Sequence, residues 1–195
     1  IYCNDEFFVF WSIGKPVHPD GLEKIPRPPG GGGNYATDCV VRTKGEQFQI
    51  YKIPLNPPPL KKYSFATDRS LSLAGMTGMA KNGVPIYPFS NNRGESVWES
   101  CEADYCNAHS GRGEDYHYHG DPFGPKCMYD KDDYAKKEKH PPLVGWAADG
   151  YPILGRYTKK GEKGMDVDLD ECNGHDHDAY GYHYHADQKE VTKKD

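Results

Sequence analysis

Asp104-Tyr105-Cys106-Asn107-Ala108-His109 and, six residues on, Tyr116-His117-Tyr118-His119-Gly120-Asp121 form a pattern that returns 66 residues later. The second copy reads Asp170-Glu171-Cys172-Asn173-Gly174-His175, six residues, then Tyr182-His183-Tyr184-His185-Ala186-Asp187. Nine of the twenty positions in 102–121 match those in 168–187, and three of the nine are histidines. Tyr-His-Tyr-His alternates with period two. In a strand it places both histidines on one face and both tyrosines on the other, with the histidine Cα atoms about 6.6 Å apart. In a helix the same histidines diverge by about 200°. The motif therefore argues for β structure, and two imidazoles at this spacing can converge on one ion.

The likeness extends upstream. Gly78-Met79-Ala80-Lys81-Asn82-Gly83-Val84-Pro85-Ile86 aligns with Gly145-Trp146-Ala147-Ala148-Asp149-Gly150-Tyr151-Pro152-Ile153, at an offset of 67. Asn-Gly and Asp-Gly are turn signals. Each half thus reads as strand, turn, Pro-Ile strand, variable loop, Cys-Asn-x-His turn and Tyr-His-Tyr-His strand. We expect a mainly β, loop-rich, disulfide-stabilised single domain over 1–195. It carries an internal duplication (78–121 and 145–187) whose two β halves are related by a pseudo-twofold. Residues 1–60 form an N-terminal β layer, with strand character at Glu6–Trp11, Tyr35–Thr43 and Gln47–Ile53. Pro26–Asn34 reads as a loop, Leu55–Leu60 as a stiff connector, and Asp130–His140 as a short helix stopped by Pro141.

The composition narrows the function. A net charge of −5, and no basic run interleaved with aromatics, argue against nucleic acid. No run of 18 apolar residues occurs, so no helical membrane span is expected. Six cysteines without a Cys-x-x-Cys predict three disulfides and a secreted, extracellular chain. Cys106–Cys172, Cys3–Cys39 and Cys101–Cys127 are one of 15 possible pairings. Self-association is open.

The candidate metal ligands are His109, His117, His119, His175, His183 and His185. Three arrangements remain open: one ion per half, one four-histidine site, or a dinuclear centre. We favour two tripods facing a common centre. Imidazole ligation suits copper or zinc and disfavours calcium. A calcium loop on Asp166, Asp168 and Asp170 is the alternative, since the oxygen spacing fits. Asp104, Asp121, Asp170 and Asp187 either orient the imidazoles or cap turns; the tyrosines pack. His18 and His140 read as surface residues, and His177 aligns with Gly111. These features predict a secreted, histidine-ligated copper or zinc protein serving capture, storage or redox chemistry. One rival is a zinc hydratase or hydrolase with Glu114, Asp115, Asp121 or Asp187 as general base. The other is a structural matrix, adhesive or filament component.

Asn82–Pro85, Cys106–His109, Tyr116–Gly120, Leu143–Ile153 and Asp168–Gly174 together resemble the YHYH-domain family, over roughly 40–187. The resemblance implies a mostly secreted or envelope-associated protein of bacteria and some eukaryotes, many of them marine. It implies no established reaction.

Overall fold

A computed structural model describes residues 2–26, 40–59, 75–135, 141–156, 169–170, 172–177 and 181–186. The described residues are mainly β and form eleven strands. A three-stranded antiparallel sheet takes β1 (Tyr2–Cys3), β2 (Phe7–Ser12) and β3 (Gln49–Pro54). The main sheet holds eight: β4 (Gly78–Ala80), β5 (Pro85–Ile86), β6 (Ala108–Ser110), β7 (Tyr116–Tyr118), β8 (Leu143–Ala147), β9 (Pro152–Leu154), β10 (Gly174–His177) and β11 (Gly181–His185). Its order is β10-β11-β9-β8-β4-β5-β7-β6.

That order reads alike in both directions from the antiparallel β4–β8 seam. Each of these strands pairs antiparallel with the next in sequence, β5 or β9. Next comes a parallel strand, β7 or β11, and then its antiparallel partner, β6 or β10. The turns agree in detail. Gly83 N–H donates to Ala80 O and Gly150 N–H to Ala147 O, at 2.8 and 2.9 Å. Both glycines have positive φ, +83° and +100°, which an L side chain rarely adopts.

Alternation along the strands separates two packing surfaces. Ile86, Tyr116, Tyr118, Val144 and Ile153 join Leu22, Ile25 and Val84 in one core cluster. On the opposite face Met79 and Trp146, paired across the seam, pack against Phe8, Phe10, Tyr51 and Ile53 of the small sheet. The N-terminal strands therefore cover the middle of the large sheet on that face. A cavity of about 80 Å³ between the layers is lined by Tyr51, Ile53, Met79 and Trp146 among others, with no histidine.

Several expectations change. One disulfide is present among the described residues, Cys106–Cys127. It rules out both Cys106–Cys172 and Cys101–Cys127. Cys3 and Cys101 are free and exposed, and Cys39 lies outside the described residues. Cys106 and Cys127 meet because the chain reverses after β7 and lays Phe123–Tyr129 beside the Cys106 turn, where Cys127 Sγ is 3.7 Å from Tyr105 O. The helix expected at 130–140 is seen as α1 (Lys131–Ala135); 136–140 fall outside the described residues. Within Tyr35–Thr43, residues 35–39 are likewise outside, and Val41 contributes a single bridge to Ser110. Most of 26–34 lies outside as well. No helix among the described residues is long and apolar enough to cross a membrane.

Candidate metal centre

The third histidine of each set stands on a strand, directly across from the Tyr-His-Tyr-His strand. His109 pairs with His117 in the β6–β7 hairpin, and His175 with His183 in β10–β11. The Asn at each preceding turn has a left-handed backbone, φ +64° at Asn107 and +59° at Asn173. That kink turns the chain into the hairpin. Its carbonyl then receives the N–H of the final histidine: His119 to Asn107 at 2.7 Å and His185 to Asn173 at 2.8 Å.

The result is two tripods. In each, one nitrogen from every histidine lies within 4.8 Å of the others. His119 Nε2 is 3.1 Å from His109 Nε2. His175 Nε2 is 2.9 Å from His183 Nε2 and 3.1 Å from His185 Nε2. The tripods do not share a centre. β7 and β11 are separated by four strands, about 24 Å along the sheet at ordinary strand spacing. The expectation of a common focus is corrected: each half keeps its own three histidines at its own edge of the sheet.

Main-chain carbonyls aim the rings. The Nδ1 atoms of His117, His119, His183 and His185 lie 2.7, 2.5, 2.7 and 2.8 Å from the carbonyl oxygens of Asp115, Pro88, Gly181 and Gly155. A carbonyl only accepts, so each Nδ1 carries the proton and each Nε2 is turned toward the other rings of its set. In the second tripod, a single Nε2 proton on His175 can serve His183 or His185, but not both. In the first, His109 Nδ1 is buried with no hydrogen bond of ordinary geometry, although the Glu102 backbone raises that ring's basicity. Burial pushes His117 down to about 4 and His119 to about 3. Burial first, then His119 and His117, push His109 to about 2. A second proton is therefore disfavoured, and convergent lone pairs are what a cation accepts. Tetrahedral bonds of 2.0–2.1 Å imply nitrogen separations of about 3.3 Å, close to the 3.1 Å of His109–His119 and the 2.9 and 3.1 Å of His175 with His183 and His185.

The surroundings of the two tripods differ. Tyr87 stacks on His117, ring centroids 4.2 Å apart, and Asp115 Oδ2 lies 3.5 Å from His117 Nδ1. At the offsets of the sequence alignment Leu154 and Gly181 occupy those places. Sequence reading missed Tyr87, and missed the four carbonyls, which have no side-chain signature. The repeated acids work on turns and tyrosines. Asp104 accepts from Gly21 N, Cys106 N, Ala108 N and Tyr116 Oη. Burial raises its pKa against those bonds. Asp170 accepts from Cys172 N, Gly174 N and Tyr182 Oη. Tyr118 and Tyr184 are held by Asn82 and Asp149.

Among the proposed bases, Glu114 accepts from Thr43, and Asp121 meets the Arg156 backbone N–H. Asp115 stands on the Nδ1 side of its histidine, away from the converging Nε2 atoms. Asp187, Asp166, Asp168 and His140 lie outside the described residues. His18 is more than a surface residue, since its Nε2 is 2.5 Å from Tyr118 Oη.

The model of the family described as YHYH protein matches residues 50–166, more than half of the chain. The chain belongs to the YHYH family. The matched span contains the first Tyr-His-Tyr-His and its tripod, while the second lies beyond its end. No curated protein and no solved structure matches the chain.

Proposed function

We propose that this YHYH protein binds two transition-metal ions, copper or zinc, one in each histidine tripod, for capture, storage or redox use outside the cell. The carrying observation is the convergence of Nε2 lone pairs whose Nδ1 protons are committed to carbonyls. Three neutral nitrogen donors suit both ions. The Cys106–Cys127 bond supports an oxidising compartment. A common origin of 78–121 and 145–187 by duplication is supported by the order of strands about the β4–β8 seam and by the equivalent hydrogen bonds of the two hairpins. A hydratase draws less support, because Glu114, Asp115 and Asp121 are engaged elsewhere.

The test is elemental analysis of protein isolated without added metal, beside the same assay on His109→Ala and His183→Ala. Two equivalents, falling to one in each variant, are expected. Metal content near zero, even after incubation with zinc or copper(II), refutes the proposal.

A further inference from the structure

The two tripods share their ligands but not their settings. Around the first, Cys106, Asn107, Ala108, His109 and Ser110 are all buried. At the matching positions of the second, Cys172, Asn173 and Asp176 are exposed and His175 is half-buried. Asp104 is buried and Asp170 exposed. The first hairpin is also tied down from outside. Val41 N–H donates to Ser110 O at 3.0 Å and Gly45 N–H to Glu114 O at 2.8 Å. The Thr43 hydroxyl reaches Glu114 and the Gln47 amide reaches Gly113 O. The disulfide to Cys127 anchors the turn that precedes β6. Tyr87 lies flat on His117. β6 and β10 are the two border strands of the sheet, and β10 carries the half-buried His175 next to the exposed Cys172 and Asn173.

Resting on the metal-binding reading above, we infer that the tripods divide the work: His109, His117 and His119 keep a resident ion, whereas His175, His183 and His185 exchange theirs with external chelators. An ion leaves a tripod by stepwise replacement, as an incoming donor takes the place of one imidazole at a time. That requires solvent access to the ion and to the ligands that hold it. His175, half-buried beside an exposed turn, offers that access. His109 does not, because it is buried with the turn before it and its strand is bonded on its outer side. Elements with exposed backbone open at lower free energy than clamped ones. The second site is thus the point of loading and hand-over, and its acceptor is any small molecule or protein presenting nitrogen or thiolate donors.

The experiment uses the full chain loaded with two equivalents of zinc and mixed with excess chromogenic pyridylazo chelator. Release is expected in two phases of one equivalent each, at least tenfold apart in rate. His175→Ala should abolish the fast phase and leave the slow one. His109→Ala should do the reverse. His175 is half-exposed, so its variant tests the assignment even where His109→Ala folds poorly. Two equivalents released in one phase, or a fast phase that survives His175→Ala, overturns the division while leaving two-site binding intact. Binding of no metal overturns both.

Discussion

His175 and His183 face one another across the β10–β11 ladder with their Nε2 atoms 2.9 Å apart. The Nδ1 of His183 is bonded to the Gly181 carbonyl. Any proton between the rings must come from His175, which has a second such neighbour in His185. One Nε2 proton on His175 thus faces two nitrogens, and a bound ion that takes all three should have a measurable effect on the fold.

Metal should stabilise the fold. At a free concentration one hundred times the dissociation constant, each filled site contributes about 2.7 kcal/mol. For a chain of this size that is about 5–10 °C in Tm. Thermal unfolding followed by circular dichroism, with zinc and then with excess chelator, checks this. Equal melting under both conditions contradicts it.

Acid should unfold the metal-free protein early. His109, His117 and His119 have folded pKa values of about 2, 4 and 3, below the ordinary 6.5. Between those limits the unfolded chain binds more protons, so stability rises with pH. It should be level above about pH 7 and fall as pH drops from about 6.5 through the folded values, at up to about 1.4 kcal/mol per pH unit for each histidine. Urea titrations from pH 8 to pH 4 test the slope, and His117→Asn should make it shallower.

Asp104 and Asp170 should differ in weight. Asp104→Ala leaves buried N–H groups of Cys106, Ala108 and Gly21 without their acceptor. We expect a loss of about 3 kcal/mol or more. Asp170→Ala exposes its partners to water and should cost about 1 kcal/mol. Paired urea denaturation curves decide. Equal losses would show that the two turns are equally critical.

Reduction of Cys106–Cys127 should cost about 3 kcal/mol, the loop-closure value for a bond spanning 21 residues. Thiol labelling before reduction should leave both cysteines unmodified. Gly145→Ala tests the seam, because a Cβ there collides with the Met79 carbonyl oxygen of the paired strand. We expect loss of cooperative folding, read by near-ultraviolet dichroism.

Much of this architecture could be read before folding. Period-two spacing placed His117 and His119 together and sent Tyr116 and Tyr118 to the other face, where both are buried in the core. Asn82-Gly83 and Asp149-Gly150 announced their turns, because a positive φ leaves few residue choices. What escaped depends on partners distant in sequence. The parallel β5–β7 and β9–β11 pairings send the tripods to opposite borders, and nothing local to His119 or His185 encodes that. Cys127 carries no mark of its mate. Tyr87 has no motif and became visible only when its ring lay on His117.

The imidazoles are steered by peptide oxygens at Asp115, Pro88, Gly181 and Gly155. Every amino acid supplies that oxygen. An alanine scan across the steering positions would therefore leave the steering atoms in place, and the aim of the rings can survive wide drift in the residues around them. The tripods are inherited with the ladder itself, so the parts most open to variation are the coverings, such as Tyr87 or the Val41–Gln47 clamp, that set how firmly each is closed.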